Sequence, residues 1–233
     1  MTYQEVIEEL YALENQEKVL FKAHKFGIVS NNSLGIYHKD LKEIAKKISK
    51  NSPLAIELFD SGIYEARILC SKIFHPKHLT ENLMEKWVKN FENWEICDSF
   101  CMAVFAKSDF ALTKILEWSD KEEEFKKRAA FAIMAAYCRA DKTAENALFH
   151  QFFPIIVKAS TDQRLYVKKA VNWALRNIGK RNKDLRNEAI KVANDILKID
   201  NKAAIWIAKN ALKELQKEGV RTSDYPRKIY RKA

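Results

Sequence analysis

The feature that most constrains this chain is a seven-residue pattern that recurs along it. Tyr64-Glu-Ala-Arg67-Ile-Leu-Cys, Glu95-Ile-Cys-Asp98-Ser-Phe-Cys, Phe125-Lys-Lys-Arg128-Ala-Ala-Phe and Tyr166-Val-Lys-Lys169-Ala-Val-Asn align without gaps. In that register Leu69, Phe100, Ala130 and Val171 form one apolar column, and Ile73, Val104, Met134 and Leu175 form a second, one helical turn later. The intervals are 31 residues (67 to 98), 30 (98 to 128) and 41 (128 to 169), and a weaker fifth copy puts Ala208 and Leu212 in the columns. Positions four apart share a helix face, so the two columns are one packing stripe per repeat. Helix pairs repeating at roughly 30–45 residues cannot bury their apolar faces alone and stack on their neighbours. The pattern therefore predicts an all-α protein, an α-α superhelix (α-solenoid) of HEAT-like repeats with a concave basic groove.

Composition agrees with this reading. Five glycines and four prolines in 233 residues are too few for a turn-rich β-sandwich or barrel. About a dozen helices of 8–18 residues are expected, joined by short connections. Ser52 before Pro53, Thr80, Ser108, Asp162 and Asp200 are the expected N-caps, and Gly27, Gly35, Gly62 and Gly179 fall near helix ends. No linker divides the chain, so one domain is expected over 1–220, followed by a basic tail over 221–233. Cys70, Cys97, Cys101 and Cys138 lie in apolar helical runs and read as small core residues in a reducing compartment. Cys97 and Cys101 share a helix face, but no Cys-x-x-Cys or His-x-x-x-His pair accompanies them. His75 and His78 flank Pro76-Lys77 in a turn, where their role is structural. Neither a metal nor a cofactor is expected. No segment approaches the ~20 apolar residues of a membrane span. The N-terminus is acidic and amphipathic, unlike a secretory signal. A cytoplasmic monomer, nucleoid-associated when on DNA, is expected.

The same register sets up a third column just outside the packing stripe: Arg67, Asp98, Arg128 and Lys169, with Trp206 in the fifth copy. Three of the first four are cations, as a groove following a phosphate backbone requires. An acid there weakens DNA binding unless it has a task, which makes Asp98 the first candidate functional residue; a local ion pair with Arg67 or Arg128 is the alternative. Trp94 precedes Asp98 by one turn and lies on the same side of its helix. Further on, Val167, Ala170, Val171, Ala174, Leu175 and Ile178 trace a packing stripe that leaves Trp173 on the arc of Lys169, Arg176 and Lys180. A tryptophan among cations on a polar face suits stacking beside phosphate contacts. Trp87 and Trp118 read as core. The net charge of +10 points to an anionic partner, nucleic acid ahead of a membrane surface. Arg164, Lys168, Lys169, Arg176, Lys180, Arg181, Lys183 and Arg186 form one basic cluster, offset by Asp184. Arg221, Arg227, Lys228, Arg231 and Lys232, with Tyr225 and Tyr230, form another at the end of the chain.

Over nearly its whole length the chain resembles the HEAT-like-repeat DNA alkylation repair proteins, the AlkD type of alkylpurine DNA glycosylase. The resemblance rests on Asn93-Trp-Glu-Ile-Cys-Asp98, Phe125-Lys-Lys-Arg128-Ala-Ala and Val167-Lys-Lys-Ala-Val-Asn-Trp173-Ala-Leu-Arg, with Gly62-Ile-Tyr-Glu-Ala-Arg67 and Asn177-Ile-Gly-Lys-Arg-Asn182 in support. It implies a catalytic set of Trp94, Asp98, Arg128 and Trp173. Many relatives carry Asp directly after the first tryptophan, where this chain has Glu95. The implied substrate is double-stranded DNA carrying cationic alkylated purines such as 3-methyladenine or 7-methylguanine, excised without flipping the base into a deep pocket. Arg67, Arg164, Lys168, Lys169, Arg176, Lys180 and Arg181 are the candidate DNA contacts. No lysine is placed for a Schiff base, so a monofunctional enzyme is expected. Two other readings share the fold: a non-catalytic solenoid that recognises damaged or branched DNA, and a protein-interaction scaffold.

Overall fold

The computed structural model describes residues 1–226, and among them all regular structure is helical. The chain divides into two compact units, Met1–Asp109 and Phe110–Ala233, each with its own buried core. The basic residues expected in the tail beyond 226 lie outside the described residues.

The first unit holds α1 (Tyr3–Ala12), α2 (Gln16–Phe26), α3 (His38–Ile48), α4 (Ser52–Asp60), α5 (Tyr64–Ile73), α6 (Glu81–Val88) and α7 (Trp94–Ala103), with 3-10 turns at Pro76–His78 and Phe105–Lys107. Asparagine starts several of these helices: the side chains of Asn15, Asn51 and Asn93 accept from backbone N–H groups of the first turn. Thr80 caps α6 as expected. At α4 the cap is Asn51 and not Ser52, whose hydroxyl instead meets the His75 backbone N–H and the His78 ring. The two histidines thus serve the turn, as the sequence suggests. Ser108 is no helix cap; it ends the second 3-10 turn.

The packing columns hold in this unit. Leu69, Ile73, Phe100 and Val104 are all fully buried. Around them lies an aromatic cluster centred on Trp87, whose ring sits 4.9 Å from Phe74, 5.0 Å from Phe100 and 5.6 Å from Phe59. One carboxylate is also fully buried. Glu65 accepts from the backbone N–H groups of Leu34, Gly35 and Ile36 and from the Ser33 hydroxyl, at 2.7, 3.0, 3.2 and 2.8 Å. It thereby folds the loop after α2 around itself, as a nest of N–H groups holds an anion. Gly35 is required there: its φ is +76°, and a Cβ would stand 2.2 Å from the Asn15 carbonyl oxygen.

The second unit holds α8 (Ala111–Trp118), α9 (Glu124–Ala140), α10 (Asn146–His150), α11 (Phe152–Ala159), α12 (Leu165–Gly179), α13 (Lys183–Leu197) and α14 (Lys202–Leu215). α12 is central, packing on α9, α11, α13 and α14. Ala130, Met134, Val171, Leu175 and Ala208 are fully buried, and Leu212 is half-buried. Gly179 lets α12 approach closely, since a Cβ would lie 2.8 Å from Leu215 Cδ2 and 3.0 Å from the Ala189 Cβ. Asn201, next to the expected Asp200, caps α14. Asp162 lies two residues ahead of the α12 cap residue, Arg164, and accepts its backbone N–H at 3.1 Å. The same carboxylate pairs with the Arg164 guanidinium at 2.6 Å and with Lys127 at 3.1 Å. Burial alone would raise the Asp162 carboxyl, but the hydrogen bonds from Arg164 and Lys127 outweigh it and hold it at about 2.

Two outcomes are expected for stability. Glu65→Gln places an amide donor among three buried N–H groups and should cost about 3 kcal/mol in urea denaturation; an unchanged midpoint would contradict the nest. Asp162 has a depressed folded pKa, so its contribution is present above its ordinary value near 3.8 and is lost as pH falls through about 2. Asp162→Asn should therefore lower Tm at neutral pH, and the gap to wild type should close on titration towards pH 2.

Candidate active site

In the first unit the candidate residues belong to α7. Its buried stripe is Ile96, Cys97, Phe100 and Cys101. Trp94 and Asp98, one turn apart, lie off that stripe and are half-buried, so an indole and a carboxylate share one partly open edge. Asn93 starts the helix, its Oδ1 accepting from the backbone N–H groups of Glu95 and Ile96 at 3.0 and 3.3 Å. The Trp94 indole is fixed by a 2.9 Å bond from Nε1 to the carbonyl of Phe26, the last residue of α2. Arg67, on α5, is half-buried, with Nε 3.3 Å from the Phe59 carbonyl and the guanidinium 5.2 Å over the Phe59 ring.

Glu95 carries a network that sequence reasoning passed over. Its carboxylate receives Lys22 Nζ at 3.0 Å, His38 Nε2 at 3.2 Å and the Tyr64 hydroxyl at 2.9 Å; that hydroxyl is also 2.9 Å from Asn93 Oδ1. Lys72 Nζ stands 3.1 Å from the other His38 ring nitrogen. A lysine can only donate, so this contact fixes that nitrogen as the acceptor and places the ring proton on the side of Glu95. Burial alone would raise the Glu95 carboxyl, yet His38, Lys22 and Tyr64 together hold it at about 2. Burial likewise pushes the Tyr64 phenol up, with Glu95 adding to the shift. The network's members come from α2, α3 and α5, and no spacing rule links them in the sequence.

In the second unit the basic arc lies along α12. Trp173 is half-exposed, and no described residue accepts its indole N–H. Lys169, one turn earlier, is exposed and has no ionic partner among the described residues. The other cations are engaged to different degrees. Lys168 lies 5.0 Å over the ring of Trp206. Arg176 and Lys180 both pair with Glu214 of α14, Lys180 at 2.6 Å, so Asp184 is not the acid that offsets the cluster. Arg164 is held by Asp162 and the Glu122 carbonyl. Arg128, on α9, is only 5% exposed, and its Nη1 donates to the Tyr166 carbonyl at 2.5 Å.

Arg181 corrects an expectation. It is 1% exposed and cannot lie on a DNA-facing surface. Its guanidinium donates to the carbonyls of Cys138, Asp141 and Ala144 at 2.6–2.7 Å and stacks 4.2 Å over Phe149. The last carbonyls of a helix lack intrahelical donors, and a planar five-donor group satisfies several at once. Arg181 therefore closes the C-terminal end of α9. The cysteines are buried as expected, and burial pushes the Cys138 thiol up to about 12, which removes its nucleophilic form. Among the described residues no group of three His, Cys, Asp or Glu side chains is placed to hold a metal. No described helix is long and apolar enough to cross a membrane.

Residues 6–215 match the family described as DNA alkylation repair enzyme. Two proteins of Listeria align at 26% identity over 204 residues, covering 85% of this chain and 88% of each relative: Lin0241 of Listeria innocua serovar 6a and Lmo0209 of Listeria monocytogenes serovar 1/2a, both named as uncharacterized proteins. A solved structure described as "A new family of proteins related to the HEAT-like repeat DNA glycosylases with affinity for branched DNA structures" is similar with a TM-score of 0.75 at 21% identity. That likeness covers 97% of this chain and 100% of the other, and is one of fold. The family match spans every repeat read from the sequence, α7 and α12 included: this chain belongs to the DNA alkylation repair enzyme family and is built from HEAT-like repeats.

Proposed function

We propose that this protein is a monofunctional DNA glycosylase of base excision repair that hydrolyses the N-glycosidic bond of cationic alkylated purines, 3-methyladenine and 7-methylguanine, in duplex DNA. The observation that carries the reading is the Trp94–Asp98 pair on the partly open edge of α7, within a chain of the DNA alkylation repair family. Alkylation at N3 of adenine or N7 of guanine makes the base cationic, so it departs as a neutral purine without protonation by a general acid. As the C1′–N bond breaks, positive charge grows on the deoxyribose. A fixed carboxylate stabilises charge where it develops, and this is the role of Asp98, which also orients the attacking water. Trp94 offers an electron-rich face to the sugar or the cationic base, a part that the family resemblance gives to Trp173 as well. The family resemblance gives Arg128 the strand beside the lesion as its partner. Arg67, Lys168, Lys169, Arg176 and Lys180 contact phosphates, Lys169 most directly because no described acid competes for it. The product is DNA with an intact backbone and an abasic site. The protein acts as a monomer in the cytoplasm.

A second reading is supported by one observation: the structural relative is described by an affinity for branched DNA. Here the protein would bind damaged or branched DNA without excision.

Release of free base from methylated duplex DNA separates the two. Asp98→Asn should lower kcat by ~100-fold or more while leaving DNA affinity within a few-fold. Uracil and hypoxanthine, being neutral, should be released poorly. Absence of base release by wild type, with tight binding to a four-way junction, would establish the second reading. Lys169→Gln should reduce duplex affinity and flatten its dependence on log salt by about one ion, whereas Arg164→Gln should change that slope much less. Equal slopes for both variants would refute the assignment of Lys169.

A further inference from the structure

Four consecutive residues entering α7 each engage the segment 22–30, in reverse order along it. Glu92 Oε1 accepts from the Ser30 hydroxyl at 2.7 Å, and Asn93 Nδ2 donates to the Val29 carbonyl at 3.1 Å. Trp94 Nε1 donates to the Phe26 carbonyl at 2.9 Å, and Glu95 Oε2 pairs with Lys22 Nζ at 3.0 Å. The helix so engaged is unusual in composition. Lys22 is the one buried residue of α2, while Leu20, Phe21 and Phe26 are exposed. A helix of a folded unit is ordinarily held by its apolar stripe; the residue α2 buries is a lysine, and the seam meets the helix at Lys22 and Phe26. Phe26 ends the helix ahead of Gly27, which adopts the left-handed conformation, so its carbonyl lies among those without an intrahelical donor and is open to the indole.

The four contacts are not equal. Water competes for the Trp94 and Ser30 bonds, which lie near the surface. The Lys22–Glu95 pair is largely withdrawn from water, and removal of either partner leaves a buried charge uncompensated. Lys22 also lies 5.3 Å over the Tyr64 ring, within the same network. The ion pair therefore decides whether α2 is seated.

We infer that Lys22 and Glu95 are positioning residues: their ion pair seats α2 so that the Phe26 carbonyl fixes the Trp94 indole and the face it presents to substrate. This rests on the reading of Trp94 as part of the active site. Neither residue touches DNA in this scheme; both act through the orientation of one tryptophan.

The test uses the full chain labelled with 15N, with the Trp94 indole resonance assigned through Trp94→Phe. Lys22→Met keeps the length and apolar stem of the side chain and leaves Glu95 its bonds from His38 and Tyr64. Glu95→Gln tests the other partner. Each variant should raise hydrogen exchange at the Trp94 indole and at the α2 amides by ~10-fold or more, with the buried Trp87 and Trp118 indoles unchanged. kcat/KM for release of 3-methyladenine should fall ~10-fold while duplex affinity stays within about two-fold. Unchanged exchange at the Trp94 indole in Lys22→Met would overturn the inference. So would loss of protection at the Trp87 indole along with Trp94, since the pair would then support the first unit as a whole. Failure of wild type to release base would refute the glycosylase reading alone, because the exchange experiment decides the seating of α2 without it.

Discussion

Each helix that carries the two apolar columns commits an arc of roughly 100° to packing before any other requirement is met. Leu69 and Ile73, Phe100 and Val104, Ala130 and Met134, Val171 and Leu175 occupy that arc, and every one is fully buried. With 3.6 residues per turn, the positions around them are then forced onto a different side. Asp98 and Trp173 are where they are because Phe100, Cys101, Ala174 and Leu175 must face inward. The repeat is thus first a solution to burial, and the row of functional candidates is its geometric remainder. This is why residues far apart in sequence can be read as equivalents without any knowledge of chemistry.

Carboxylates organise what the apolar stripes cannot. Glu65 gathers a loop through its backbone N–H groups, Glu95 gathers side chains from three helices, Asp162 holds the start of α12, and Glu214 takes two cations from it. Glu95, Asp162 and Glu214 each pair with cations, whereas Glu65 meets only N–H groups and a hydroxyl. The net charge of +10 already counts these acids; what the pairs decide is which cations stay open to a partner. Arg164, Arg176 and Lys180 reach any phosphate in competition with an acid, and Arg181 does not reach one at all. Lys169 has no such competitor among the described residues, so it meets a phosphate without first breaking an ion pair.

Much of this was legible in the sequence, and the remainder has a common physical cause. The columns, the off-stripe place of Trp173, the cap at Thr80 and the burial of Trp87 and Trp118 all follow from spacing within one helix. At Ser52 and Asp200 the cap falls one residue away, on an asparagine of equal capping strength. Arg181 stood out as a cation in a basic run, but its carbonyl partners lie some forty residues earlier, beyond the reach of local periodicity. Glu65 and Glu95 were hidden in the same way. A buried carboxylate is defined by partners distant in the chain, and its own neighbours in sequence look like those of any surface acid.

The seam along residues 92–95 has a consequence for how this chain can change over generations. Side chains there answer to residues about seventy positions earlier, so a substitution at Lys22 bears directly on Glu95, and one at Glu95 on Lys22. The first two helices cannot be exchanged for those of a relative carrying a different residue at position 95 without carrying that residue along. In this chain the segment 22–30 and the entry to α7 are therefore one module written in two places.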